Sequence, residues 1–260
     1  MSRIIDLLKL KDYITLIGTT LGVISIIIGG FGGRSAISLG FFLVTITIGT
    51  DLLDGYIARK TNTVNKMGIE LDSLSDSLTF GIAPAFLTFQ AFKTGSLYDI
   101  ILIIGSIGFA LGAILRLARF NISGNSGYTG VPTPLSALFM IIFFYANYFL
   151  AFALGGGGIA GIYHPFPPVI YYLIPFIMIL IGWFNITTLI SFGKKGKIAY
   201  MIFLIFAPLC PIFGIIGIFN PSFIVSIIVS IFFFSAFVIE FIYVLLGFVI
   251  NIKEKQKKKI

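Results

Sequence analysis

The chain has 260 residues; 58% are hydrophobic, 11% are charged, and the net charge is +8. So little charge excludes an ordinary soluble surface, and anionic lipid headgroups account for the basic excess without any nucleic-acid partner. A single cysteine, Cys210, and a single histidine, His164, exclude an internal disulfide, a thiolate metal centre and a histidine-rich metal site within one chain.

Residues 2–11 mix Ile4, Ile5, Leu7, Leu8 and Leu10 with Arg3, Lys9 and Lys11, the composition of a short amphipathic helix lying in the membrane interface. Long apolar blocks follow, each near the roughly 20 residues that cross a bilayer core. They predict eight spans, at 13–30, 35–59, 69–92, 99–120, 133–154, 166–190, 198–217 and 222–250. The blocks are continuously apolar rather than alternating, which favours helices over a barrel. The first reads as a retained span, not a cleaved signal. The second and last exceed a membrane core and should tilt or protrude.

The Gly155–Gly158 run breaks the chain after the fifth span, Pro165, Pro167 and Pro168 open the sixth with His164 in the loop before them, and Asn220-Pro221 turns into the eighth. Pro175, Pro208 and Pro211 predict kinks inside spans. Gly18/Gly22 and Gly108/Gly112 predict close helix contacts. Trp183 reads as a packing residue, and Tyr145 and Tyr148 as candidates to line a polar recess. With the N-terminus inside, all of the 18 basic residues except Arg34 and Lys93 fall on the cytoplasmic side, including Lys194, Lys195 and Lys197. The expected fold is therefore an all-α polytopic transmembrane bundle of about eight spans with both termini cytoplasmic. It forms one integral membrane catalytic domain over 1–260, with a basic tail at 251–260.

Four of the ten acidic residues, Asp51, Asp54, Asp72 and Asp76, flank one short cytoplasmic loop. Ionisable groups near the membrane are costly and mark function. On a helix Asp51 and Asp54 lie about 60° apart, and Asp72 and Asp76 about 40° apart, so two antiparallel neighbours would gather all four. Their repulsion calls for cations. Hard divalent ions suit such a cluster, and the absence of His and Cys favours magnesium or manganese over zinc. Two ions about 3.5–4 Å apart could clamp a pyrophosphate. Gly55 and Ala58 share the stripe of Asp51 and Asp54, and Gly68 precedes Asp72 by one turn, so bulk is missing beside the charge. Glu70 points away and is excluded from the site. A cation-transport site would use the same carboxylates without the small residues.

Asp51-Leu52-Leu53-Asp54-Gly55-Tyr56-Ile57-Ala58-Arg59, then eight residues, then Gly68-Ile69-Glu70-Leu71-Asp72-Ser73-Leu74-Ser75-Asp76, resembles the signature of the CDP-alcohol phosphotransferases at all eight fixed positions. A narrower resemblance, to the CDP-diacylglycerol–serine phosphatidyltransferases and their archaeal archaetidylserine counterparts, rests on three stretches. These are Asp72 to Ala85, Arg116-Leu117-Ala118-Arg119-Phe120-Asn121, and Gly130-Val131-Pro132-Thr133-Pro134, in which Val131 replaces the usual leucine.

The resemblance implies that Asp51, Asp54, Asp72 and Asp76 hold two divalent cations, Mg2+ or Mn2+. It implies that Asp76 also takes the proton of the incoming hydroxyl, and that Gly55, Ala58 and Gly68 pack against the CDP group. Arg59 either contacts phosphate or anchors the loop. Arg116 and Arg119, at i and i+3, are the candidates for the serine carboxylate or the lipid phosphate. The implied reaction moves a phosphatidyl or archaetidyl group from a CDP-linked lipid to L-serine and releases CMP. It takes place in a cell-membrane protein whose site faces the cytoplasm and which forms a homodimer. Transfer to inositol phosphate or glycerol phosphate is the near alternative.

Overall fold

The structure, a computed structural model, describes residues 3–61, 63, 65–123, 129–190, 212 and 222–257. The predicted seventh span, Lys194, Lys195, Lys197, Pro208, Cys210, Pro211 and the Asn220-Pro221 turn lie outside the described residues. Helices make up nearly all the rest: α1 Ile4–Leu7, α2 Leu10–Gly30, α3 Arg34–Thr61, α4 Lys66–Asp76, a π turn Ser77–Ile82, α5 Ala83–Phe92 and α6 Asp99–Ser123. They continue as α7 Thr133–Leu154, α8 Gly158–Tyr163, α9 Pro168–Ile186 and α10 Phe223–Lys257. Six of them, α2, α3, α6, α7, α9 and α10, are long and apolar enough to cross a membrane. The chain is an all-α, polytopic membrane protein.

The third predicted block is not one regular helix. It is α4, the π turn and α5 run end to end over 66–92. Pro84 explains the break: it has no N–H for the Phe80 carbonyl and its ring crowds that carbonyl, so the hydrogen-bond register slips. The Ala83 amide donates instead to Leu78, five residues back. Pro175, by contrast, sits inside α9 without ending it. The expected interfacial helix is also shorter than residues 2–11. Only Ile4–Leu7 forms it, because the chain extends at Leu8 and Lys9 and Leu10 already opens α2.

Three helix pairs build the bundle, α2 with α3, α6 with α9, and α7 with α10. Glycines set the first two. A Cβ on Gly18 of α2 would meet Thr50 of α3, and one on Gly40 of α3 would crowd the Ser25 carbonyl of α2, while Gly22 of α2 faces Thr79 of the π turn. Gly112 faces the Gly182 backbone, Gly182 faces that of Gly108, and Gly105 faces that of Pro175. Backbones thus approach where no side chain intervenes. Residue order along these contacts makes α6 and α9 parallel: Tyr98 pairs with Tyr172 at one end, and Arg119 bonds Ile186 at the other. In the α7–α10 pair Ser230 bonds Ala146 while Phe237 meets Phe139 edge to face, so these two are antiparallel. Phe184 meets Phe241, and Asn251 bonds Thr188, so α9 and α10 run the same way and begin at the same end of the bundle.

The core surrounds α7, nearly all of whose residues are buried. Tyr145 and Tyr148, expected at a polar recess, are instead buried in its aromatic stack with Phe144 and Phe149, and the Tyr145 hydroxyl donates to the Ser38 carbonyl at 2.9 Å. Trp183 packs on Phe248, and His164 follows α8 in a loop. The helix α8 itself interrupts the predicted break between the fifth and sixth spans.

Candidate active site

The last turns of α3 carry Asp51 and Asp54, and α4 carries Asp72 and Asp76. The loop between them closes on Asn65, the N-cap of α4, whose Oδ1 accepts the Gly68 amide at 2.8 Å and whose Nδ2 donates to the Leu7 carbonyl at 3.0 Å. That bond ties the loop to α1. The helix α2 then lies against both acidic helices. Thr15 donates to Asp54 at 2.5 Å, and Thr19 to Ser75 at 2.7 Å.

Carboxylate oxygens of Asp51, Asp72 and Asp76 all come within 4.8 Å of one another. A space of about 10 Å³ lies between them and Thr15, Gly18, Thr47, Thr50, Asp54, Ser75 and Thr79, with no basic side chain on its wall. That is near the room of a single water-sized sphere. Phe80 closes one side of the space; clustered carboxylates, neighbouring hydroxyls and ion-sized room fit a hard divalent cation. Asp54 stands beside this trio, 6% exposed and held by Thr15.

The small residues differ in what they border. A Cβ added to Gly55 would meet only the Arg59 guanidinium, at 3.4 Å, so this face is open apart from that flexible side chain. Ala58 is half-buried and Arg59 exposed on the same helix end. Gly68 is occupied differently: a Cβ there would strike Lys11 Nζ and crowd Asp12 Oδ1 and Asn65 Oδ1. The room at Gly68 is thus filled by the chain's own Lys11–Asp12 ion pair, 2.6 Å long, with the two residues 7% and 0% exposed. Sequence reasoning assigned Lys11 to the interface and missed this pair, together with Thr15 and Asn65. A Lys-Asp step directly before an apolar block was the available signal.

Glu70 is exposed and accepts from Asn121, which itself accepts from Ser73, so it lies off the cluster as expected. The two arginines part company. Arg116 is buried, 8% exposed, and within electrostatic reach of Asp76. Arg119 instead gives both terminal nitrogens to main-chain carbonyls, Ile186 at 2.6 Å, Thr129 at 3.0 Å and Asn185 at 3.3 Å. It fastens the end of α6 to the end of α9 and to the chain entering α7.

Residues 9–184 match the family described as CDP-alcohol phosphatidyltransferase. A CDP-diacylglycerol–serine O-phosphatidyltransferase of Methanocaldococcus jannaschii is 37% identical over 143 residues, covering 55% of this chain and 64% of that protein. An archaetidylserine synthase of Methanothermobacter thermautotrophicus is 31% identical over 151 residues, covering 56% of this chain and 62% of its own length. The serine O-phosphatidyltransferase of Bacillus subtilis is 33% identical over 114 residues, 42% of this chain and 62% of that protein. The chain thus spans less than two thirds of the length of each of these relatives.

Proposed function

We propose a reaction from one premise: this chain belongs to the CDP-alcohol phosphatidyltransferase family. It transfers a phosphatidyl or archaetidyl group from a CDP-linked lipid to L-serine, releasing CMP. The observation that carries the reading is the meeting of Asp51, Asp72 and Asp76, from two separate helices, within 4.8 Å. The serine-type relatives support serine as acceptor over inositol phosphate or glycerol phosphate. Family membership favours transfer over cation transport.

Asp51, Asp72 and Asp76, with Asp54 beside them, would hold two divalent cations, Mg2+ or Mn2+, which when bound neutralise the diphosphate and the charge growing on the departing nucleotide. Asp76 takes the proton from the serine hydroxyl as its oxygen attacks the lipid-bearing phosphorus. A new P–O bond forms to serine, and the bond to the CMP oxygen breaks. Arg116, buried and within electrostatic reach of Asp76, receives the serine carboxylate or the lipid phosphate. Arg119, engaged with three carbonyls, holds the surrounding helix ends in place. Gly55 and Ala58 border the CDP group, with Arg59 reaching its phosphate or holding the loop. Gly68 serves that group indirectly, by seating the Lys11–Asp12 pair. Positioning and electrostatics supply most of the rate gain.

The whole chain acts as one catalytic unit of eight spans, with the aspartate end and both termini cytoplasmic and a homodimer as the working form. The charge bias supports that orientation. The parallel run of α9 and α10 supports the even count, because α10 starts at the end opposite to that where α9 stops. Purified protein given a CDP-lipid, Mg2+ or Mn2+ and a panel of alcohols should release CMP only with serine. Release with another alcohol alone would move the acceptor assignment, and no release with any alcohol would overturn the reaction.

A further inference from the structure

The end of the bundle opposite the aspartates holds a second, larger recess. It has a volume of about 270 Å³, and its wall includes Arg34, Gln90, Ala91, Ile162, Phe166 and Tyr171. Arg34 opens α3, so it lies about 25 Å along the helix from Asp51. Gln90 and Ala91 end α5, and Phe166 and Tyr171 stand where α9 begins. The recess therefore sits where α3 and α9, both long and apolar enough to cross a membrane, begin and where α5 ends, an end that in a bilayer would face the lipid headgroups.

Its polar groups are unbalanced. Arg34 is half-buried, with its guanidinium 4.3 Å above the Phe166 ring and one nitrogen donating to the Gly161 carbonyl at 3.3 Å. Among the described residues no carboxylate pairs with it. The Gln90 side-chain carbonyl is buried and meets no donor among the described residues. A cation short of an anion and an acceptor short of a donor, both on residues of one recess wall, suit one ligand. It carries a phosphate and, beyond it, a hydroxyl. Arginine binds phosphate through a planar fork, and the aromatic walls accept a glycerol backbone at the boundary of the hydrocarbon.

We propose that this recess binds the headgroup of an anionic glycerophospholipid from the leaflet facing away from the aspartates. A recess this small holds a headgroup and not a whole lipid, whose chains would lie along the outer helices. The site is separate from the transfer reaction and needs only that the helices cross a membrane.

The test is native mass spectrometry of the full-length protein, delipidated in neutral detergent and titrated with phosphatidylglycerol or phosphatidylcholine. Wild type should take one phosphatidylglycerol on the order of tenfold more tightly than phosphatidylcholine, which brings a quaternary cation toward Arg34 and has no headgroup hydroxyl for Gln90. Arg34→Gln should erase that preference. Lys93→Gln removes the same charge from an exposed residue that is not on the recess wall, and should keep it. Ala91→Phe leaves the arginine and fills the recess; it should also lose the tight lipid, which preserves the test if Arg34→Gln fails to fold. Equal behaviour of Arg34→Gln and Lys93→Gln, or no preference in wild type, would overturn the proposal. Displacement of the lipid by an equal concentration of inorganic phosphate would also overturn it, reassigning the recess to a free anion.

Discussion

At the scale of single residues, the acidic cluster is a trio with a fourth member beside it. Asp51, Asp72 and Asp76 surround the ion-sized room together, with Arg116 in electrostatic reach of Asp76, while Asp54 receives a hydrogen bond from Thr15. Thr15→Val removes the bond to Asp54 and leaves a charged acceptor short of a donor, worth about 1.5–3 kcal/mol. The Mg2+ concentration needed for half-maximal CMP release should rise at least tenfold. Asp76→Asn keeps the shape and loses the base, so turnover should fall by about 10²–10⁴ while CDP-lipid binding persists; normal turnover would remove its assigned role. Arg116→Ala should raise the serine requirement far more than the CDP-lipid requirement, and equal loss toward both would count against the carboxylate role. The aspartates were legible from sequence because their spacing fixes one face on each of two helices. Thr15 and the Lys11–Asp12 pair were not, because they reach the cluster only through the packing of α2 across both helices, which no local spacing encodes. Arg119 looked equivalent to Arg116 three residues away. The difference is tertiary: Arg119 bonds the carbonyls at the end of α9, whereas Arg116 is buried within electrostatic reach of Asp76.

At the scale of elements, apolar length alone located six helices that match predicted spans closely, since a block of lipid-soluble residues leaves a helix no other way to satisfy its backbone. Hydropathy cannot see hydrogen-bond register, so the π turn after Asp76 escaped notice although its cause, Pro84, was in plain view. The turn widens the helix directly beyond the acidic residues and re-aims everything after it. Pro84→Ala restores the missing donor and should let a regular helix form. CMP release should then drop at least tenfold while the thermal midpoint in detergent stays level or rises. A matched fall in both would show that the turn matters only for stability. The glycine contacts between α6 and α9 belong to this scale as well. Gly112→Leu drives a side chain into the Gly182 backbone. Overpacking of this kind costs about 1–3 kcal/mol or more, so the thermal midpoint should fall by several degrees.

At the scale of the whole molecule, the two recesses stand at opposite ends of one bundle, and among the described residues the basic side chains crowd the aspartate end. Topology can be read with an impermeant thiol reagent in a Cys210→Ser background. Arg59→Cys should label only in inside-out vesicles, and Leu97→Cys, 86% exposed beside α6, only in right-side-out ones. The reverse pattern would invert the orientation. The central helix α7 has a consequence of another kind. Its apolar surface meets almost no lipid in the finished protein, since other helices enclose it. Yet α10, its chief neighbour, begins only at residue 223. During synthesis, which proceeds from the N-terminus, α7 must dissolve in the bilayer before that wall exists. Its apolar surface thus serves the transit first and the packed core afterwards. Polar changes such as Phe139→Asn should therefore be punished first as failed insertion, and only afterwards as lost packing.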